Sequence, residues 1–218
     1  MTKPSSDCQA RLFVPGWGAI ARLYEPGLAD GWEALELPSY RRTHGDFSGY
    51  RRWLAEELLK WPEPVVLGGH SMGAALALLA AIERPELVER LVLVSPAGLP
   101  LTKTMRSSTA TFVRQAASGR YRPGHLGWML GRVAASPINA HRLARSVHRL
   151  DLRSELPRFD VDRISCTVVG CSSDTLTPPG HCRALAGALG ARYREVDAPD
   201  GHIWPVTQPQ LLAAVLSG

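Results

Sequence analysis

The chain reads Val65-Val66-Leu67-Gly68-Gly69-His70-Ser71-Met72-Gly73 and continues as an apolar run to Ile82. The apolar residues before the glycines predict a buried strand, and the run from Met72 to Ile82 predicts a helix that is buried on nearly every face. Ser71 is then expected on the tight turn between the two elements. Gly69 and Gly73 remove the side chains that would clash in such a turn, so the serine hydroxyl would be lifted above the sheet.

The start of this helix can stabilise a negative charge beside the serine. Its positive end and its free amides would point at the hydroxyl, and the N–H of Met72 would donate to an oxyanion. A second donor is expected from the loop Pro15-Gly16-Trp17-Gly18 after the first predicted strand, with the N–H of Trp17 as the candidate. Two alternatives stay open: a glycine-rich turn that only packs a strand against a helix, and an ordinary turn with a packed tryptophan.

A serine nucleophile needs a base, and the base needs a carboxylate to orient it. Asp174 follows the predicted strand 166–169, and His202 follows the predicted strand 193–196. Open α/β sheets build their sites where parallel strands end, so both side chains are expected near Ser71. The alternatives are a surface-loop aspartate and a structural or solvated histidine.

The rest of the chain alternates short apolar strands with helical segments, which predicts a parallel sheet flanked by helices. Predicted strands lie at 11–14, 32–37, 65–69, 91–94, 166–169 and 193–196, and predicted helices at 17–28, 47–61, 72–82, 180–189 and 208–216. Residues 99–157 break this alternation with helical pieces separated by Gly and Pro. We therefore expect one α/β core, residues 10–98 and 163–216, with one inserted helical cap, residues 99–162.

The composition is that of a single globular domain. The 218 residues are 45% apolar and 21% charged, which excludes a disordered tail or a fibrous repeat. The longest apolar stretch, 74–82, is too short to span a bilayer, and the N-terminus has no apolar signal region, so a soluble cytoplasmic protein is expected. The spacing of Cys8, Cys166, Cys171 and Cys182 fits neither a metal site nor a disulfide framework, which predicts free thiols.

The positive charge is unevenly distributed. The net charge is +5, yet residues 101–163 hold 12 basic and 4 acidic residues, or +8, which leaves −3 for the remainder. An acidic carrier, an anionic membrane surface or nucleic acid would fit such a block, and so would an arginine-rich solvated helical face. The block contains no zinc-finger, basic-zipper or RNA-binding signature, so nucleic acid is not expected.

These motifs resemble those of the α/β-hydrolases over roughly residues 10–98 and 163–216. The likeness rests on the Ser71 turn as a nucleophile elbow, on Asp174, on Gly201-His202 and on the Pro15-Gly16-Trp17-Gly18 loop. It is strongest with small capped serine esterases such as the pimeloyl-acyl-carrier-protein methyl ester esterases of biotin synthesis. The resemblance implies hydrolysis of a carboxylic ester or thioester through an acyl-enzyme on Ser71, with no metal and no organic cofactor.

Two departures from the family pattern concern the oxyanion loop and the sheet. Pro15 stands where the family usually has His. About ten residues precede the first strand, so the two antiparallel strands that usually open the fold are not expected. The resemblance then implies a reduced, mostly parallel sheet of about six strands.

The resemblance also implies that the cap lines the acyl pocket. The candidate substrate-binding residues are Trp17 and, within the cap, Met105, Phe112, Trp128, Met129 and Leu130. Those of the cap would serve equally as its own core. The basic block would receive an acyl carrier protein or coenzyme A through Arg142, Arg145 and Arg149. The alternatives are a thioesterase acting on acyl-CoA and a non-catalytic ligand-binding protein of the same fold.

Overall fold

The computed structural model describes residues 9–101, 103–116 and 124–218, without the side chains of Phe112, Ala116 and His125. These residues form one sheet of six strands, all parallel, in the order β2-β1-β3-β4-β5-β6. The strands are β1 (Arg11–Val14), β2 (Trp32–Ala34), β3 (Val65–His70), β4 (Val88–Val94), β5 (Ser165–Cys171) and β6 (Arg192–Val196). The predicted parallel sheet of about six strands is confirmed.

Eight α-helices occur in the same residues. They are α1 (Phe47–Leu58), α2 (Met72–Glu83), α3 (Met105–Ala116), α4 (His125–Ala134), α5 (Pro137–His148), α6 (Pro179–Leu189), α7 (Trp204–Thr207) and α8 (Pro209–Ser217). Short 3-10 turns lie at Ala21–Leu23, Glu25–Gly27, Pro85–Leu87, Leu156–Arg158 and Gly201–Ile203.

Successive strand residues face two separate cores. Leu67 and Leu93 pack with α1, α2 and α6 on one face, whereas Val66 and Val92 pack with α8 on the other. Successive side chains of a strand point to opposite faces, so a sheet covered on both sides needs apolar residues at nearly every position. The helix α2 is buried from Met72 to Ile82, as its uninterrupted apolar run predicts.

The predicted helix 17–28 is wrong. Its residues form two 3-10 turns instead, Ala21–Leu23 and Glu25–Gly27. Pro26 lacks an N–H, and its ring would clash with the carbonyl group four residues earlier in an α-helix. Gly27 packs closely on the main chain of Pro209, where a Cβ would lie 3.0 Å from the Pro209 Cα. The segment is therefore shaped by its contact with α8 rather than by helical periodicity.

Three helices, α3, α4 and α5, lie between β4 and β5, and we call them the insertion helices. Two of their contacts reach loops that follow strands β1 and β2. The indole N–H of Trp17 donates to the carbonyl oxygen of Ala140 at 3.0 Å, and Arg142 donates to that of His44 at 3.0 Å. Since parallel strands end at the same edge of the sheet, α5 is held at the edge where Ser71 lies.

Arg132 makes the most extensive of these contacts. Its guanidinium donates to the carbonyl oxygens of Leu37 at 3.0 Å and Pro38 at 2.8 Å, and it lies 5.2 Å from the ring centroid of Tyr40. Only 13% of the side chain is exposed. Burial raises the pKa of Tyr40 to about 12 despite the opposing charge of Arg132. The arginine thus fastens α4 to the loop after β2 mainly through main-chain acceptors.

The docking of α5 requires a glycine at position 45. Gly45 has a φ of 64°, and a Cβ there would overlap the carbonyl oxygen of Asn139. We expect Gly45→Ala to lower the free energy of unfolding by about 1–3 kcal/mol more than Gly31→Ala, measured by urea denaturation. Gly31 has a φ of 80°, but the nearest atom to a Cβ there lies 4.0 Å away, so this control carries the backbone strain alone. Equal losses in the two variants would contradict close docking of α5.

Three of the four cysteines are free thiols, as predicted. Cys166, Cys171 and Cys182 are buried, and Cys8 lies outside the described residues. Burial raises the pKa of Cys166 and of Cys182 to about 12, so both stay protonated at neutral pH.

None of the helices in residues 9–101, 103–116 and 124–218 combines the length and the apolar character that a membrane crossing requires.

Candidate active site

Ser71 lies on a strained turn between β3 and α2. Its φ of 55° falls in the left-handed region that residues with a side chain rarely adopt. Two main-chain hydrogen bonds hold this conformation. The N–H of Ser71 donates to the carbonyl oxygen of Val94 at 3.0 Å, and the N–H of Ala97 donates to the carbonyl oxygen of Ser71 at 3.2 Å. The turn is therefore fastened to the end of the neighbouring strand β4.

The glycines beside this turn are required by close main-chain contacts. A Cβ on Gly69 would overlap the main chain of Gly73, and a Cβ on Gly73 would overlap the carbonyl oxygen of Val14. The expected reason for glycine at both positions, the removal of clashing side chains, agrees with these distances.

The structure brings Ser71, His202 and Asp174 together. The Ser71 hydroxyl oxygen lies 2.8 Å from Nε2 of His202, and Nδ1 of His202 lies 2.7 Å from Oδ2 of Asp174. His202 is 5% exposed and Asp174 is 2% exposed. A carboxylate oxygen can only accept, so Nδ1 carries a proton and Nε2 is left to accept the serine proton. This is the arrangement in which an imidazole can act as a base toward a serine.

Asp174 stays ionised although it is buried. Burial by itself raises the pKa of a carboxyl group, but the electrostatic interaction and hydrogen bond with His202, together with hydrogen bonds from Leu176 and Thr177, more than offset this effect. The N–H groups of Leu176 and Thr177 donate to Oδ1 at 2.8 and 3.1 Å, and the Thr177 hydroxyl donates to Oδ2 at 2.9 Å. The net result is a pKa below the usual value, so the carboxylate is charged at neutral pH.

The two predicted oxyanion donors belong to elements that flank Ser71. Met72 is the first residue of α2, where a helix leaves its N–H without a partner inside the helix. The loop that contains Trp17 lies against the serine, since a Cβ on Gly16 would be 3.5 Å from the Ser71 Cβ. That Trp17 and Met72 donate to an oxyanion stays a prediction.

The loop around Trp17 is anchored on both sides by tyrosine hydroxyls. The N–H of Gly16 donates to the hydroxyl of Tyr24 at 3.3 Å, and the N–H of Gly18 donates to that of Tyr40 at 3.1 Å. Both tyrosine rings are buried. Pro15, which begins this loop, is buried as well.

An apolar cavity of about 490 Å³ opens onto Ser71 and His202. In the described part of the chain, no Asp, Glu, Lys or Arg side chain lines it. The insertion helices contribute much of its wall, including Met105, Val113, Met129, Leu130, Val133 and Val147. A group that enters this cavity exchanges water for hydrocarbon, so the cavity favours an uncharged chain.

The predicted pocket residues divide into three groups. Trp17 and Met129 line the cavity, and so do Met105 and Leu130. Trp128 does not line it, contrary to the expectation: its ring is 38% exposed and stacks with the Arg22 guanidinium at 4.8 Å. Neighbouring helix positions point about 100° apart, so α4 turns Met129 inward and Trp128 outward. The side chain of Phe112 lies outside the described part of the structure.

The three arginines predicted to receive a carrier differ in their surroundings. Arg142 is exposed, and its guanidinium donates to the carbonyl oxygen of His44. Arg145 and Arg149 lie exposed near the end of α5. A role in carrier binding stays a prediction for all three.

Three residues of the site were missed in the sequence. Thr177 supports Asp174 and also lies 3.3 Å from Nδ1 of His202. Its position three residues after the aspartate is a local turn pattern that could have revealed it. Tyr24 and Arg132 gave no such signal, because their partners lie far away in the chain.

No group of three or more His, Cys, Asp or Glu side chains in the described residues is arranged to hold a metal ion.

A parallel sheet with a serine elbow and a histidine and aspartate after later strands defines the α/β-hydrolase class of folds. A family model described as the alpha/beta hydrolase family matches residues 12–215, and the chain belongs to this family.

A curated relative agrees with this family, and two solved structures share the fold. A monoglyceride lipase of Rattus norvegicus is 33% identical over 174 residues, which span 71% of this chain and 54% of the relative. The chain thus spans about half the length of that curated relative. The enol-lactonase of Burkholderia xenovorans superposes with a TM-score of 0.71 at 18% identity, covering 98% of this chain and 94% of its own. A thioesterase domain from the curacin biosynthetic pathway gives 0.65 at 16% identity, covering 98% and 92%.

Proposed function

We propose that the protein hydrolyses a carboxylic ester or thioester through an acyl-enzyme on Ser71. The observation that carries this proposal is the chain of hydrogen bonds from the Ser71 hydroxyl through His202 to Asp174, at 2.8 and 2.7 Å. The buried, ionised carboxylate supports it, because it holds the imidazole in the tautomer that can accept the serine proton.

In the first half of the proposed reaction, the Ser71 oxygen attacks the acyl carbonyl carbon while its proton moves to Nε2 of His202. Asp174 stabilises the imidazolium that forms. The N–H groups of Trp17 and Met72 receive the oxyanion, and His202 then protonates the leaving alcohol or thiol. In the second half, His202 takes a proton from the water that attacks the acyl-enzyme. It then returns this proton to the Ser71 oxygen as the acyl bond breaks, which releases the acid and regenerates the Ser71 hydroxyl.

The proposed substrate class follows from the cavity. Its volume of about 490 Å³ and its apolar wall favour an uncharged acyl chain of medium length over a short or charged one. Residues 99–162 would act as a cap, because their helices form much of that wall. Monoacylglycerols are included among the candidate substrates, since a monoglyceride lipase is among the relatives.

Two measurements test the proposed function. A fluorophosphonate probe should label the wild-type protein on Ser71, located by peptide mass spectrometry. Hydrolysis of p-nitrophenyl acetate, butyrate and octanoate should follow, with kcat/KM rising toward octanoate as more of the chain is buried. A folded protein that is neither labelled nor active would favour a non-catalytic ligand-binding role for this fold.

A second candidate is a carrier-bound substrate, such as an acyl-CoA thioester or the methyl ester of a pimeloyl chain on acyl carrier protein. The observation that favours it is the excess of positive charge in residues 101–163, with Arg145 exposed on α5 and Arg149 exposed directly after it. Such a carrier is acidic and would lie at the cavity mouth while its acyl chain enters.

The carrier hypothesis predicts a selective change in KM. Arg145→Glu together with Arg149→Glu should raise KM for an acyl-CoA about 5- to 10-fold and leave KM for p-nitrophenyl butyrate unchanged. Arg192→Glu with Arg194→Glu, on the edge strand β6, makes the same charge change elsewhere and should affect neither substrate. Equal effects of the two double variants would contradict carrier binding at α5. Arg142 is left intact because it holds α5 in place.

A further inference from the structure

His70 connects two parts of the site that lie on different segments. Its ring is buried at the end of β3, directly before Ser71. Nε2 lies 3.0 Å from the carbonyl oxygen of His202, and Nδ1 lies 2.8 Å from the hydroxyl oxygen of Tyr24. That hydroxyl also accepts the N–H of Gly16 at 3.3 Å. One side chain thus reaches both the loop that precedes Trp17 and the turn that carries His202.

The chemistry of the partners fixes the direction of every hydrogen bond in this series. A carbonyl oxygen only accepts, so Nε2 of His70 must carry a proton. Burial, assisted by the neighbouring His202, lowers the pKa of His70 to about 3, so the ring is neutral and Nδ1 accepts. Tyr24 therefore donates to Nδ1 while it accepts from Gly16. We call this series, from Gly16 through Tyr24 and His70 to the His202 carbonyl, the Tyr24–His70 relay.

We propose that Tyr24 and His70 are positioning residues that hold the oxyanion loop and His202 at a fixed distance from Ser71. This inference rests on the proposed acyl-enzyme function. Both connecting groups are rigid rings, and the ring centroids of His70 and His202 lie 4.8 Å apart. The approach of the loop is close, since a Cβ on Gly16 would lie 3.1 Å from Nδ1 of His70.

Breaking the relay should reduce the rate of reaction rather than substrate binding. Without the Tyr24 hydroxyl, the Gly16 N–H and the His70 Nδ1 lose their buried partners, and the loop shifts to satisfy them. Small displacements of groups that contact the transition state lower the rate strongly, whereas the apolar wall that the insertion helices contribute to the cavity stays in place. The distinguishing signature is therefore a fall in kcat with a constant KM.

Tyr24→Phe tests this signature with an almost unchanged side-chain shape. We expect kcat for p-nitrophenyl butyrate to fall about 10- to 100-fold, KM to stay within about twofold, and the rate of fluorophosphonate labelling to fall with kcat. Tyr50→Phe is the matched control, because Tyr50 is buried and donates one hydrogen bond, to the Pro38 carbonyl oxygen at 3.1 Å. The Tyr50→Phe variant should lose about as much thermal stability as Tyr24→Phe and should keep the wild-type kcat. Equal kcat losses in the two variants would overturn the proposal.

Substitutions of His70 provide a rescue experiment. His70→Gln keeps one acceptor and one donor on a planar group, whereas His70→Leu keeps neither. We expect the glutamine variant to retain most of the wild-type kcat and the leucine variant to lose at least as much as Tyr24→Phe. Adding Tyr24→Phe to His70→Leu should cause little further loss, since both break the same relay. Fully additive losses, or a glutamine variant as slow as the leucine variant, would contradict it.

A spectroscopic measurement separates this proposal from the proposed function. Long-range ¹H–¹⁵N spectra should show His70 neutral and protonated on Nε2 from pH 5 to 8, with its signals assigned by their absence in His70→Gln. A ring protonated on Nδ1 would overturn the relay even in an active enzyme. If the wild-type protein is neither labelled nor active but shows this tautomer, the hydrogen bonds stand and the acyl-enzyme function fails. If the protein is active and Tyr24→Phe matches the wild type, only the positioning role fails.

Discussion

Replacing Ser71 with alanine is expected to lower kcat/KM for p-nitrophenyl esters by about 10⁴- to 10⁶-fold, and replacing His202 should have a similar effect. The two side chains act as one unit, because the serine oxygen is a poor nucleophile unless His202 removes its proton across the 2.8 Å hydrogen bond. The double variant should therefore be no slower than either single variant. Stopped assays at high enzyme concentration, with background hydrolysis subtracted, measure the residual rates.

The control for this prediction is His141→Ala, on the exposed surface of α5. It should change kcat/KM less than about twofold, as is usual for a surface substitution away from the site. Thermal unfolding of each variant verifies that lost activity does not reflect lost structure. A Ser71→Ala protein that keeps a tenth of the wild-type rate would show that another residue is the nucleophile.

Among the variants that add one methyl group to a described helix, Gly73→Ala should lose the most stability. The new Cβ would overlap the carbonyl oxygen of Val14, in the neighbouring strand β1, and a main-chain atom of a buried sheet cannot move aside cheaply. We expect the free energy of unfolding to fall by at least about 3 kcal/mol, which is the upper end of overpacking effects. Urea denaturation, monitored by circular dichroism, measures the change in the free energy of unfolding. A variant protein that is obtained only in inclusion bodies would also agree with a loss of this size.

Gly187→Ala is the matched control, since it makes the same change in the last turn of α6. A Cβ there has no neighbouring atom within 4 Å. Alanine is the better helix former by about 1 kcal/mol, so this variant should be as stable as the wild type or more so. If Gly73→Ala were equally stable, the close packing of α2 on β1 would be wrong.

Much of the fold was predictable because its signals are local. Strands buried on both faces read as short apolar runs, and the fully buried helix α2 reads as an apolar run interrupted only by small residues. The placement of Asp174 and His202 followed from one rule, that parallel strands end at the same edge of the sheet. The distances of 2.8 Å between Ser71 and His202 and 2.7 Å between His202 and Asp174 agree with that placement.

What escaped prediction depends on contacts between distant residues. Apolar periodicity made 17–28 look helical, but Pro26 and the packing of Gly27 on α8 break it into two turns. The orientation of Trp128 depends on how α4 is rotated about its axis, which the residues in the wall of the cavity decide. Tyr24 and His70 are 46 positions apart in the chain and form a hydrogen bond, and no local sequence pattern predicts such a pair.

The attachment of α4 by Arg132 bears on how this scaffold can diversify. Its strongest acceptors are the main-chain carbonyls of residues 37 and 38, which every amino acid supplies. Substitutions in that loop do not remove these carbonyl groups. The attachment of α4 therefore depends largely on one residue, the arginine at position 132. The other residues of α4 can then vary while the sheet and its serine elbow stay unchanged. For an engineer, this makes α4 the natural helix to randomise when a new chain length is sought, with position 132 held as arginine.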